Sequence, residues 1–450
     1  MEMPHKHIMV LKGILMLALI STQCTYASDS KESDADCNSA YKGKTFNEDF
    51  YRDDINRLLE MHQEWDSAVF KNKFASNEEA LKDPRRLNLC GSDLGGFDFS
   101  NLRLVAANFK NADLTLTNFN EASLSSAIFE GANFKQASVK GAVLKSSKLK
   151  NSKFFLSKVS GAYFVQADLE GVSFSRSDLS GATFKNSNLK KVKFFISNLK
   201  NARFENAILT DSYFGGSDME GVVFEPDAQT LPNAIRFEYV KNIHLLKYDD
   251  SPHALIALRN IFRDAGWREQ ERKVTYAIKH TGIEKILNPG ENEIKHEFNE
   301  KLEAWFNLVF FDLTTQWGMS PARALIILLL LIPAFAIFYT LSLRLGGKDG
   351  IWQDWPDTRV RKDLGPANPI LLQYSWGKSI IYGLYFSFLS AFHIGWREVN
   401  VGNWIARIQP REYTLRASGW VRSIAGIQSL ISVYLVAIWV LTYFGRPFDY

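Results

Sequence analysis

From Leu89 to Phe224 every fifth residue is apolar, 28 positions in succession with Leu and Phe predominating. Hydrophobic residues make up 46% of the chain, so chance would give such a run on the order of once in a billion trials. Two residues before these centres, from Ala107 to Val222, only Ala, Ser, Thr or Val occurs. A helix repeats its apolar face at about 3.6 residues and a strand at about 2, and neither yields a row at five. The chain must therefore turn a corner at each unit, with the centre pointing inward and the small residue filling the remaining interior space.

The units read Ala112-Asp113-Leu114, Ala132-Asn133-Phe134, Ala167-Asp168-Leu169 and Ser197-Asn198-Leu199. They resemble the A(D/N)LXX signature of pentapeptide-repeat proteins over residues 87–226. The resemblance implies a right-handed quadrilateral β-helix with four units per coil, here about seven coils and a column roughly 34 Å long. Grouping centres by 20 tests it: Leu94, Leu114, Phe134, Phe154, Phe174, Phe194 and Phe214 fall on one wall, with Leu104 through Phe224 opposite. From Phe134 onward every Phe centre lies on these walls, which assigns much of the Phe excess (33 residues) to interior stacking. Outside, Lys110, Glu130, Lys150, Glu170 and Lys190 alternate in sign at the same spacing, a ladder of weak exposed pairs. One outward group stands apart: Phe155 and Phe195 with Lys135, Lys153, Lys193 and Tyr213 form a candidate partner-binding patch for a protein or an anionic polymer. A wall covered by another segment is the alternative. Acids and bases offset one another and the net charge is only +4, so neither nucleic-acid binding nor an acidic DNA-mimic surface is expected.

Residues 1–27 carry early basic residues, an apolar run too short to span a bilayer and a small-residue end, the layout of an export signal. Residues 28–86 read as a tail and a capping helix with Ile55, Leu58, Leu59, His62 and Trp65 on its apolar face. After Pro226 the five-residue phase is lost, and residues 227–320 read as a linker with helices over His253–His280 and Glu291–Leu313. In 321–450, Ala324–Leu343 and Ser423–Phe444 are each long enough to cross a membrane. Arg344, Lys348, Arg359, Arg361 and Lys362 follow the first, and Arg407, Arg411, Arg416 and Arg422 precede the second. The positive-inside rule therefore makes the intervening loop cytoplasmic and exports the repeats, placing the chain in a bacterial inner membrane with its β-helix in the periplasm. In that oxidising compartment Cys37 and Cys90 are a candidate disulfide, with unpaired thiols as the alternative.

A third apolar stretch begins at Ser379 and fits a re-entrant segment, 379–402, because a full crossing would export the arginines beyond it. Its end, His393-Ile394-Gly395-Trp396-Arg397-Glu398, resembles the pore helix and filter of two-transmembrane potassium-type channels. Gly266-Trp267-Arg268-Glu269-Gln270-Glu271 also resembles the linker of pentapeptide proteins that end in such modules. Arg397 replaces the second filter glycine and Glu398 the aspartate, removing the carbonyl-lined conformation and repelling potassium. The expected orientation also inverts that of the channels. A homo-oligomer is implied, a tetramer if a pore forms. No phosphate loop, catalytic triad or metal-spaced His/Cys set occurs, so no catalytic residue, metal or cofactor is expected. Two functions follow: a non-enzymatic anchored scaffold, or a partner-gated channel that is not potassium-selective.

Overall fold

The computed structural model describes residues 49–70, 83, 85–289, 297–345, 349–354, 370–392, 414–445 and 448. These fall into two compact units divided between Phe194 and Phe195. The export signal, Cys37 and the segment His393–Glu398 lie outside the described residues.

In the first unit, helix α1 (Asp49–Phe70) precedes a coil in which parallel bridges join residues 20 apart, from Asn88↔Asn108 to Ser173↔Lys193. Isolated bridges replace long strands because a corner follows every few residues. At each corner the backbone adopts φ near +57°, as at Asn111, Glu121 and Leu156, and glycine fills the same place at Gly131 and Gly141. The Asx residue before each centre makes the turn: Asp113 Oδ1 accepts from Thr115 N–H at 3.0 Å. It also ties coils together, since Asn133 Nδ2 donates to Asp113 at 3.1 Å and Asn188 Nδ2 to Asp168 at 2.9 Å. Several buried hydroxyls at the small positions are satisfied by backbone carbonyls: Thr117 and Ser147 each donate to the carbonyl three residues back at 2.7 Å, and Ser157 donates across the coil to the Phe134 carbonyl at 2.7 Å.

Phe134, Phe154, Phe174 and Phe194 are fully buried and pile at centroid spacings of 4.2, 4.9 and 5.6 Å. Earlier coils use other walls, with Phe99 on Phe119 at 5.0 Å and Phe109 on Phe129 at 5.1 Å. The stack changes wall at Phe129–Phe134, where the rings tilt by 60°. Helix α1 caps the first coils as its amphipathic face predicts. Trp65 packs with Val105 and Ala106, Asp66 pairs with Arg103, and His62 Nδ1 accepts the Leu87 N–H at 3.0 Å. His62 is a packing residue stacked on Trp65, and burial pushes its imidazole down to about 4.

The second unit begins with further pentapeptides, bridged at Asn198↔Asp218 and Arg203↔Val223. The ladder continues past Pro226, with Asp218↔Lys241 and Val223↔Lys247 bridged across 23 and 24 residues. The 3₁₀ turns Ala228–Thr230, Ala234–Phe237 and Ile243–Leu245 insert the extra residues. That insertion hides the last coil from a five-residue reading. Phe237 still occupies a stacking place, 5.1 Å from Phe214, and Phe262 of helix α2 (His253–Asp264) closes over it at 5.7 Å.

The helix expected over His253–His280 is broken in two. Gly266 at φ +75° ends α2, and α3 (Arg268–Leu287) starts after Trp267. Helix α4 (Phe298–Asn307) opens on a Glu297/Glu300 capping box and runs into a π-turn, Leu308–Asp312. Three apolar helices follow: α5 (Ala322–Leu345), α6 (Trp376–Phe392) and α7 (Gly419–Phe444). Strands β1 (Ile351–Asp354), β2 (Ile370–Leu371) and β3 (Thr414–Ala417) form an antiparallel sheet in the order β2-β1-β3 within the inter-span loop.

Candidate interaction surface and membrane module

Of the predicted patch, the first unit carries Lys135, Lys153, Phe155 and Lys193, all exposed, with Phe155 at 38%. Lys153 and Lys193 each bridge Ser173, so both occupy one column of that unit. The second unit carries Phe195, 40% exposed, and the half-buried Tyr213, whose rings stack at 6.1 Å. Gly215 makes room for this pair, because a Cβ there would lie 2.2 Å from the Tyr213 hydroxyl. The charge ladder closes where it was expected, with Lys110–Glu130 at 3.6 Å and Lys150–Glu170 at 3.3 Å. Asp168 and then Glu170 raise the Lys150 ammonium above its ordinary value. Cys90 is buried and disulfide-bonded.

The second unit also holds a cleft of about 310 Å³ that sequence reading missed. His244, Lys247 and the last coil line one side, with His280, Thr281 and Glu284 of α3 on the other. Lys247 Nζ lies 3.1 Å from Glu284, and burial followed by Lys273 pushes His244 down. His280 is pushed up, chiefly by its side-chain interaction with Asp312 of the π-turn at 3.4 Å. Among the described residues no cluster of three His, Cys, Asp or Glu could hold a metal.

The linker motif beginning at Gly266 has a definite task. Arg268 donates to the carbonyls of Tyr443 and Gly445, each at 2.9 Å, and Arg272 to those of Thr442 and Tyr443. Helix α3 thus supplies cations to the free carbonyls and negative dipole end of α7. The same helix meets the segment before α5 through His280–Asp312 and through Tyr276 and Ile283, which cluster with Trp317.

Helices α5 and α7 are long and apolar enough to cross a membrane. The three apolar helices bury hydrogen-bonded polar side chains among apolar ones such as Leu328, Phe386 and Leu435, and carry large aliphatic side chains on their outer faces. Buried Tyr339 donates to Gln428 Oε1 at 2.8 Å, while Gln428 Nε2 reaches the Ser387 hydroxyl at 2.8 Å and its carbonyl at 3.0 Å. Ser387 in turn donates to the Ile332 carbonyl beside Pro333 at 2.6 Å. Gly383 permits the close approach of α6 to α5, since a Cβ there would lie 2.3 Å from Thr340 Oγ1 and 3.0 Å from the Ala336 carbonyl. Leu329, Leu330, Ile337, Ile381 and Leu430 face outward, each at least 61% exposed.

A four-unit parallel coil with inward Leu and Phe centres defines a quadrilateral β-helix of the pentapeptide type. The family model described as pentapeptide repeats matches residues 85–120, 117–154, 159–194 and 197–225. This part of the chain is therefore a pentapeptide-repeat domain, an architecture whose members are right-handed quadrilateral β-helices. Among solved structures, the chain is similar to HetL, a pentapeptide repeat protein involved in heterocyst differentiation regulation from the cyanobacterium Nostoc sp. Strain PCC 7120. The identity is 20% over 29% of this chain and 73% of that one, with a TM-score of 0.16. QnrB1, a plasmid-mediated fluoroquinolone resistance protein, is 17% identical over 39% of this chain and 96% of its own, with a TM-score of 0.21. A pentapeptide repeat protein of the Arabidopsis thaliana thylakoid lumen is 26% identical over 30% of this chain and 70% of that one, at a TM-score of 0.12. Scores this low carry no argument about this chain, and the repeat assignment rests on the family model and the 20-residue register. No curated protein matches the chain.

Proposed function

We propose that this is a non-enzymatic integral membrane protein of the bacterial inner membrane, whose exported pentapeptide β-helix binds or scaffolds a partner. The observation that carries the reading is the outward aliphatic surface shared by α5, α6 and α7, combined with Tyr339, Ser387 and Gln428 buried and hydrogen-bonded between them. In water that arrangement would expose apolar surface on three helices together, whereas lipid solvates it and leaves hydrogen bonds to hold the helices. A disulfide at Cys90 agrees with an oxidising compartment for the repeats. The arginines around the inter-span loop agree with a cytoplasmic position for that loop. On the exported side, the first unit offers Lys135, Lys153 and Lys193 with the exposed Phe155, and the second unit offers the stacked Phe195 and Tyr213, to a protein or an anionic polymer. The test is flotation of the full chain with lipid vesicles after an alkaline wash, then retention of a sulfated polysaccharide as an anionic probe. The vesicle-bound protein should survive the wash and should lose salt-sensitive retention in Lys153→Glu/Lys193→Glu. Release from vesicles by the wash contradicts the membrane reading, and unchanged retention contradicts the patch.

A second reading, a partner-gated channel without potassium selectivity, is favoured by one observation: α6 packs against both spans, bonded to α5 through Ser387 and to α7 through Gln428. This reading requires a homo-oligomer, a tetramer in the channel family, and rests on the filter-like sequence His393–Glu398. Planar-bilayer currents that change in Arg397→Gly would support it, and bilayers silent with and without the substitution would remove it.

A further inference from the structure

Helix α4 and the turn after it leave an apolar face uncovered by the described chain. Phe298, Leu302, Trp305 and Phe306, then Val309 and Leu313, are 43–78% exposed. At 3.6 residues per turn, positions 298, 302, 305, 306 and 309 fall within a wedge of about 100°. The opposite side is already used, with Ala304 buried in the cluster that contains Tyr276 and Ile283 of α3. Glu300 and Glu303 are also exposed but lie outside the wedge. Six large apolar side chains within one short segment are a contiguous face rather than the scattered singles of an ordinary surface.

The surroundings of this face identify what covers it. Phe310, next along the strip, meets Tyr434 of α7 edge-on at 5.5 Å. From Tyr434 to Phe444, where α7 ends, the helix rises by about 15 Å. Phe311 packs beside Ala324, Leu328, Leu435 and Ile438, residues of the two spans themselves. The chain then turns sharply through Gln316 and Trp317, at φ +51° and +53°, and starts α5. The strip is therefore continuous with the outward surface of the spans, and it combines Phe, Trp and Leu on one side with carboxylates on the other.

We propose that residues 298–313 form a lipid-facing amphipathic segment that enters the bilayer from the headgroup–acyl boundary, its Phe310 end dipping to Tyr434, about 15 Å inside the end of α7. The proposal rests on the membrane reading above. It is tested in the full chain, reconstituted in phosphatidylcholine vesicles, with p-benzoylphenylalanine placed in turn at Leu302, Trp305 and Phe306. Glu300 and Glu303 serve as positions off the face, and Leu329 and Ile337 of α5 as lipid-facing references. Illumination should give lipid adducts at 302, 305 and 306 at a yield near that of 329 and 337 and several-fold above 300 and 303. Chain-to-chain adducts predominating at 302, 305 and 306 would overturn the proposal in favour of a second copy as the cover. Absence of adducts there while 329 and 337 react would place the face in water and overturn it with the membrane reading intact. Absence at 329 and 337 as well would overturn both.

Discussion

Phe154→Ala removes a ring from the middle of the stack in the first unit. Phe154 has no exposed surface and lies 4.2 Å from Phe134, nearly parallel to it, and 4.9 Å from Phe174. Buried Phe→Ala changes cost about 3–5 kcal/mol, including the cavity left behind. Removing each ring–ring pairing adds about 0.5–1.5 kcal/mol beyond area, which places this site toward the upper half of that range, about 4 kcal/mol. A coil closed by bridges on both sides can collapse little to fill the space, since its backbone is fixed by hydrogen bonds such as Phe154 N–H to the Ser173 carbonyl at 2.7 Å. Solenoid stability is carried by neighbouring repeats, so the loss should be local. Hydrogen exchange of the full chain should show protection in residues 129–179 falling by about three decades, at roughly 1.4 kcal/mol per decade. Phe155→Ala, at a ring already 38% exposed, should cost under about 1 kcal/mol. Equal effects of the two substitutions, or a drop of less than one decade for Phe154→Ala, would refute the inward stack.

Three further outcomes follow from particular side chains. His62 holds its imidazole near 4 by burial against an ordinary 6.5, so the unfolded chain takes up a proton first as pH falls. The α1 cap should lose about 3 kcal/mol between pH 6.5 and 4, read as falling protection factors, normalised to the intrinsic exchange rate, in residues 55–68, and a flat profile would contradict it. His280 is raised by Asp312, so its contribution is full below pH 6.5 and is lost as pH climbs through the raised value. Protection factors in residues 308–318, normalised to the intrinsic exchange rate, should therefore fall on the alkaline side in the native chain and not in His280→Phe. Gly383→Val would force α6 away from Thr340 and Ala336, and it should lower the thermal midpoint in detergent while Gly377→Val, where a Cβ meets nothing within 4 Å, leaves it unchanged.

The repeat was legible because its period is unlike that of helix or strand, and each inward centre is chosen by one constraint, burial on the coil axis. Even the wall positions of Phe134 and Phe154 follow from arithmetic on the chain. The extra coil through Phe237 was not legible, since 3₁₀ turns stretch its spacing to 23 and 24 residues and erase the phase. The break at Gly266 is one glycine in an otherwise amphipathic stretch, and only its φ of +75° shows that it ends a helix. Of the candidate patch, the individual side chains were legible, but the seating of Tyr213 over Gly215 depends on space that a one-dimensional reading does not contain. Arg268 stood in a recognisable motif and Arg272 just beyond it, yet their acceptors are carbonyls more than 160 residues away, and backbone acceptors leave no mark on the sequence.

The most direct measurement is the sidedness of the repeats. In intact spheroplasts, a membrane-impermeant maleimide should label Lys153→Cys in the β-helix, while Asp349→Cys in the inter-span loop should react only after the membrane is opened, with the unsubstituted chain as background. Labelling of Asp349→Cys from outside with Lys153→Cys protected would contradict an exported β-helix carried on two spans.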